Sequence, residues 1–462
     1  MLSISVRLSV VLSLCLFNLG SVTAIAAEPK TSKLTLNAAL NIALNKDEWQ
    51  NSSSLTQEAI RERAVALGQL PDTKLSATLA NLATDTLRFN QERMTQIQLS
   101  ASQVFPRGDT LALREKRGRL NSERQLFQRQ LRLAKIGLEV TTLWLDSLKV
   151  RRSITLIKKS RPLFDQLAEL TLASYAAVTS NTQQQDIVRA QLERTLLDDR
   201  LSVLKQQLAK LEQQLTGWLV SADGNWRTPT GKRIYENKLP QLALLQSTTN
   251  SQTTTRSSDT QASRFLHHPM IEMLDKTIVR DKTTIELERQ GFKPQWGVKL
   301  GYGYRKRDPN GVNRSDLVSV GISMDFPLFS KQRPRSNVRA AALERDANIS
   351  DRLLLLRDMN TKFNALLVQQ STLTQRAQLY RRAVLPQMKQ QAQASLNAYT
   401  ADNGNFSEVV RARIVQLNGR IDALNIAVEQ QQLIAQMNYL LATTERPVQL
   451  TSPSSSSNTA QD

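Results

Sequence analysis

The apolar positions of this chain follow two different periods, and each period appears twice. Trp296, Val298, Leu300, Tyr302 and Tyr304 alternate with Gly297, Lys299, Gly301 and Gly303, and Val318, Val320, Ile322, Met324 and Phe326 alternate with Ser319, Gly321, Ser323 and Asp325. One apolar face and one small or polar face at a period of two predicts a pair of half-buried strands. A fainter copy, Leu75, Ala77 and Leu79 followed by Ile97, Leu99 and Ala101, predicts an earlier pair built from smaller side chains. Strands of about ten residues match the length that crosses a bilayer at a tilt, and aromatic residues close the apolar faces, where membrane–water interfaces favour them. The connecting loops, 84–93 and 305–316, are polar and charged.

After each strand pair the period becomes that of a coiled coil. Leu197, Leu201, Leu204, Leu208, Leu211 and Leu215 step by four and three, as do Phe127, Leu131, Ala134, Leu138, Thr141, Leu145 and Leu148. These stripes predict packing seams rather than a cofactor box. The helical stretch 111–175 would run about 95 Å at 1.5 Å per residue, with a kink or joint near Pro162. A compact domain has no use for such a length, whereas a tube crossing a periplasm does. Shorter helices, 34–68 and 269–291, precede the strand pairs and end ahead of Pro71 and Pro294.

The same landmarks recur in the same order. Phe105-Pro106 returns as Phe326-Pro327, Pro162 as Pro386, Tyr175 as Tyr399, and Asp186-Ile187-Val188-Arg189-Ala190 as Glu408-Val409-Val410-Arg411-Ala412. Nearly constant spacing across half the chain identifies a tandem duplication. The organisation is then a leader at 1–26, a first repeat at 27–238, a Ser/Thr/Gln-rich segment at 239–263, a second repeat at 264–446 and a tail at 447–462 that is disordered by composition.

Composition agrees with long helices joined by narrow seams: aromatics are only 5% of residues and mean hydropathy is −0.36. Arg7, the apolar run 8–19 and Ala24-Ile25-Ala26-Ala27 predict a secretory signal peptide cleaved after Ala24 or Ala26. The only cysteine, Cys15, follows Leu14 inside the apolar core, which makes it a poor lipoprotein acceptor. Export without disulfides suits a bacterial periplasm or outer membrane, and no other long apolar helix is evident to hold the chain in an inner membrane. The formal charge of +20 raises the question of nucleic acid. Export argues against that partner, and the basic residues pepper helices, as at Arg114, Lys116, Arg117, Arg119, Arg124, Arg129 and Arg132, without the interleaved aromatics a strand-binding groove uses.

Four strands cannot close a membrane barrel, because an open edge in lipid leaves backbone groups unpaired and the smallest barrels have about eight strands. Several chains must contribute, and three would supply about twelve strands, an allowed even number. Four segments keep their order within the duplicated frame: Leu34-Thr35-Leu36-Asn37-Ala38-Ala39-Leu40 with Ala43-Leu44, Pro294-Gln295-Trp296-Gly297-Val298-Lys299-Leu300-Gly301-Tyr302-Gly303, Phe326-Pro327-Leu328-Phe329, and Tyr399, Gly404, Phe406 with 408–412. Through them, and over almost all of the sequence after the leader, the chain resembles the TolC family of outer-membrane efflux channels.

That resemblance implies a mainly α fold with membrane β: a homotrimer whose twelve-stranded barrel continues into an α-helical periplasmic tunnel. It also implies a passive export duct that uses no cofactor and works with a periplasmic adaptor protein and an inner-membrane pump. Pro-x-Trp with Tyr-Gly, and Phe-Pro-Leu-Phe, are similar to the heavy-metal branch, so cation efflux is one expectation, and a drug or protein secretion duct of the same family is the other. A reading of another class is a periplasmic coiled-coil structural or adaptor protein, with the alternating stretches forming a soluble sandwich. Two departures stand out: Asp47-Glu48-Trp49 replaces a common Asn-Pro pair, and the first repeat lacks a counterpart of Gly404.

A duct needs no nucleophile, and no P-loop, zinc spacing or catalytic triad is evident. His267 and His268 precede Pro269, where a polar turn before a helix competes with a metal site short of ligands. The hairpin tips carry the candidates. By resemblance they form the periplasmic mouth, where Asp186 and Glu408, with Arg189 and Arg411 one turn later, either ring a constriction as a gate or pair locally near a helix N-terminus. Tyr175, Thr182, Tyr399, Gly404 and Phe406 are the candidate adaptor contacts. Arg107, Lys331, Arg333 and Arg335, in the turns after the strands, would sit near the inner-leaflet headgroups, where phosphate attraction and plain solubility are equal readings.

Overall fold

The two strand pairs meet in one antiparallel sheet of order β1-β2-β3-β4, formed by β1 (Lys74–Ala80), β2 (Gln96–Phe105), β3 (Gln295–Tyr304) and β4 (Leu317–Asp325). The computed structural model describes residues 33–176, 184–220, 235–245, 263–329, 331–401, 404–446 and 448. The leader, Thr182 and the rest of 177–183, most of the inter-repeat segment, and the tail from 449 onward lie outside the described residues. The seam between repeats is β2 against β3, with Phe105 opposite Trp296 and Leu99 opposite Tyr302. The two strand pairs therefore form one continuous sheet whose outer edges, among the described strands, are β1 and β4.

Two helices, α1 (Leu36–Asn45) and α2 (Glu48–Leu67), stand where a single one is expected over 34–68. Thr35 caps α1, its side chain accepting from the Ala38 N–H at 3.2 Å. The break at Lys46-Asp47 has a tertiary cause. Asp47 takes an extended conformation, and its carboxylate accepts two hydrogen bonds from the Arg132 guanidinium, at 3.1 and 2.9 Å. That guanidinium also lies 5.6 Å from the ring centres of both Trp49 and Trp218. A bidentate pair flanked by two aromatic rings pins the chain where it changes direction.

The first repeat continues as α3 (Thr110–Ala176) and α4 (Gln184–Leu219). Of the kink or joint expected near Pro162, the joint is absent: α3 runs unbroken through the proline for 67 residues, about 100 Å. Ion pairs bracket the site, Arg161 to Asp198 and Arg194 to Asp165, each at 3.1 Å, so α4 braces the turn that lost a hydrogen bond. The interruption occurs instead in the second repeat. There α5 (Pro269–Arg289) leads into the sheet, α6 (Gln332–Leu379) leaves it, and a π turn at Tyr380–Val384 precedes α7 (Leu385–Thr400), which has Pro386 in its first turn. A π turn places the proline where its missing N–H is harmless. The last helix is α8 (Phe406–Leu440).

The predicted leucine seam is buried as expected: Leu197, Leu201 and Leu215 are in the interior, and Leu204, Leu208 and Leu211 pack beside it. The two hairpins share this core, since Phe164, Leu167 and Leu197 of the first join Phe406, Val410 and Leu417 of the second in one cluster. The described part of the inter-repeat segment straps across α8. The Leu242 and Leu245 N–H groups donate to Gln431 (2.7 Å) and Asn438 (2.8 Å), and Asn438 donates back to the Ala243 carbonyl (2.9 Å).

Candidate functional site: the sheet faces and the hairpin tips

Strand register sorts the sheet into two chemically distinct faces. On one, the rows Leu75–Ala101–Leu300–Val320 and Ala77–Leu99–Tyr302–Val318 run across all four strands, continued by Gln103–Val298–Ile322 and Phe105–Trp296–Met324. Nothing described covers this face, and Val320, Ile322 and Leu75 are 70, 73 and 81% exposed. Phe105, Trp296 and Phe326 gather at the helix end of the strands. At the loop end stand Tyr302 and Tyr304, the latter stacked on Phe89 with ring centres 6.3 Å apart. An uncovered apolar band with aromatic residues at both margins is costly in water and natural in lipid. Among the described residues no helix is long and apolar enough to cross a membrane.

The opposite face is mainly small and polar: Lys74, Ser76 and Thr78 on β1, Gln96, Gln98, Ser100 and Ser102 on β2, Gly297, Lys299, Gly301 and Gly303 on β3, and Ser319, Gly321, Ser323 and Asp325 on β4, with Val104 and Leu317 its larger apolar members near opposite ends. Ser76 and Ser100 hydrogen bond at 2.8 Å across the first pair. Small side chains keep the space above this face open. At the sheet margins β1 and β4 each present a row of backbone groups that no described strand pairs, an arrangement that lipid tolerates only when another strand completes it.

The second hairpin tip is built from the inside. Asn405 caps α8, accepting from the Ser407 N–H at 2.9 Å, and Phe406 is buried against Tyr399, their rings edge-on with centres 5.6 Å apart. Gly404 lies against the end of α7, where an added Cβ would stand 2.7 Å from the Tyr399 nitrogen. Phe406, a candidate contact by resemblance, lies in the interior of the single chain, where an apolar residue beside the cap seals the end of the core. Tyr399 packs on the same core, whereas Tyr175 is half exposed at the end of α3. Glu408 and Arg411 form an exposed i,i+3 pair at 3.0 Å within one turn of α8. On α4, Asp186 is partly buried in the first turn and Arg189 is exposed.

His268 belongs to the helix start. Its Nδ1 accepts from the Met270 N–H at 3.2 Å, so the proton sits on Nε2, which donates to the Tyr439 carbonyl at 3.3 Å. Burial pushes its pKa down to about 4. His267 faces Glu272 at 3.2 Å. Among the described residues no group of three His, Cys, Asp or Glu side chains could hold a metal ion. At the loop end, Asp85 is held below the usual carboxylate range by hydrogen bonds from Gln91 and the Thr86 N–H.

A four-stranded sheet with one lipid-type face, continuous with two long helical hairpins, is the protomer fold of outer-membrane channels. No family profile and no curated protein matches the sequence. Solved structures match by shape. CusC, a protein described as forming a transmembrane channel, aligns at 14% identity over 88% of this chain and 91% of its own, with a TM-score of 0.67. The CmeC outer-membrane channel of Campylobacter jejuni aligns at 13% over 88% and 85%, with a TM-score of 0.68. The outer-membrane protein VceC of Vibrio cholerae aligns at 13% over 88% and 95%, with a TM-score of 0.67. At these identities the likeness establishes the shared fold.

Proposed function

We propose that this chain is the outer-membrane channel of a tripartite efflux system, a passive duct from the periplasm of a Gram-negative cell to the exterior. Three copies pair β4 of one with β1 of the next, closing a barrel of about twelve strands. The hairpins continue it as a periplasmic tunnel that meets an adaptor protein and an inner-membrane pump. The observation that carries this reading is the uncovered apolar sheet face, with aromatic margins and two open edges. A soluble coiled-coil protein would hide such a face. The shared fold does not separate cation efflux from drug efflux, and screening a deletion strain for sensitivity to copper, zinc, cobalt, dyes and antibiotics divides the two.

The tips carry partner choice and gating in this proposal. Tyr175, Thr182, Tyr399 and Gly404 form or shape the adaptor contact, with Phe406 holding the surface from beneath. Asp186 and Glu408, with Arg189 and Arg411, line the mouth, and the local Glu408–Arg411 pair is available to exchange partners across the symmetry axis. Membrane extraction tests the core of the reading. The protein should resist carbonate and high salt, dissolve in detergent, and sediment as three chains. Release by carbonate as a soluble monomer would leave the periplasmic coiled-coil alternative. Replacing Asp186 and Glu408 together with alanine should raise single-channel conductance, and an unchanged conductance would remove them from the gate.

A further inference from the structure

Strand register brings together two lysines that are 225 residues apart in sequence. Lys74 on β1 stands opposite Ser102 on β2, Ser102 opposite Lys299 on β3, and Lys299 opposite Gly321 on β4. Both lysines lie on the small polar face, in one row, with a single strand between them, so their backbones are about 10 Å apart. Around Lys299 the same face offers Gly297, Gly301 and Gly321, whose missing side chains leave the ammonium nothing to lean on. Both side chains are exposed, and neither forms an ion pair with a described carboxylate. The only carboxylate on this face of the strands is Asp325, opposite Gln295 at the far end of β4. It is four residues from Gly321, about 13 Å along the strand and beyond the roughly 10 Å screening length of 0.1 M salt.

We infer that this row is an anion-selecting element of the duct, so that the barrel favours solutes carrying carboxylate, phosphate or sulfonate groups over free cations. The inference rests on the duct reading above, in which the polar face lines the lumen. Closing three sheets would then place six lysines around the bore against three distant carboxylates. Rings of like-charged side chains set the sign of ion that a pore admits, and the field is focused by the low-dielectric wall that lipid provides behind them. Lysine suits the role because it presents a mobile, fully charged ammonium without the planar grip by which arginine holds an anion in place.

The experiment is a reversal-potential measurement on the full-length purified protein in planar bilayers, under a potassium chloride gradient at low ionic strength, for three forms. The wild type and the Lys74→Arg/Lys299→Arg form should share one potential. Lys74→Gln/Lys299→Gln should shift the potential toward potassium, and the difference should collapse in about 1 M salt, where screening shortens to roughly 3 Å. Ser102→Glu, which sets a carboxylate between the two lysines, should give a shift of the same sign without removing either lysine. Channels whose potential is the same in the glutamine and glutamate forms as in the wild type would overturn the inference and leave the duct intact. Absence of any channel from the wild-type protein would instead overturn the duct reading, and this inference with it.

Discussion

Val320 and Ser319 are neighbours on β4 that face opposite ways, which makes them a paired test of what each side of the sheet touches. Both are exposed in the single chain, Val320 at 70%, so a soluble sheet would accept an arginine at either position with little cost. Val320 stands opposite Leu300, which stands opposite Ala101 and then Leu75, so it lies in the middle of the apolar band. Arginine at the midplane of a lipid face costs about 2–4 kcal/mol, or roughly 30- to 700-fold in the folding equilibrium of each chain. Ser319 stands opposite Gly301 on the polar face, where an arginine would meet water. The assay is denaturant unfolding of protein reconstituted in lipid vesicles, followed by tryptophan fluorescence. Val320→Arg should lower stability by that amount, while Ser319→Arg should stay within about 1 kcal/mol of the wild type. Equal effects at the two positions would refute the assignment of the apolar face to lipid.

Three further outcomes follow from the helical part. Phe406→Ala removes a buried ring from the shared core of the hairpins and should cost about 3–5 kcal/mol, read as a lower thermal midpoint together with faster amide exchange over 398–412. Arg132→Ala strands the Asp47 carboxylate, which is only 5% exposed, and should cost about 3 kcal/mol, with part of the loss recovered in the Asp47→Ala/Arg132→Ala double variant. His268 is neutral in the folded protein down to about pH 4, whereas in the unfolded chain it protonates near 6.5. Its contribution is complete above about pH 6.5 and is lost as pH falls toward 4, at most about 3 kcal/mol, and His268→Asn, which keeps a capping side chain, should flatten stability across that window.

The strands were legible because a sheet with one apolar and one polar face obeys the simplest of periodicities, and the likeness of the two halves made the faint first pair readable through the clear second one. Gln103 is the one lapse in the apolar face. It sits at the helix end of β2, where it accepts from the Thr73 hydroxyl at 2.5 Å and donates to the Pro71 carbonyl at 2.8 Å, so it closes the bottom of the first hairpin. What sequence reading missed depends on partners far along the chain. The break at Asp47 is held by an arginine 85 residues away, and Pro162 is tolerated because α4 braces it. Phe406, a candidate contact by resemblance, is buried in the core the hairpins share, a placement its local sequence does not show. The Lys74–Lys299 row could not be seen without the pairing of β2 with β3, the single register that joins the repeats.

The claim at the centre of this account is that the open edges β1 and β4 find each other on neighbouring copies and close a ring. A protein carrying Ser76→Cys on β1 and Ser319→Cys on β4, treated in intact membranes with bifunctional maleimides of graded length, reports this directly. Ring closure predicts a covalent ladder of two and then three chains that ends there. A ladder continuing past three, or chains that remain single although both cysteines react, would contradict it.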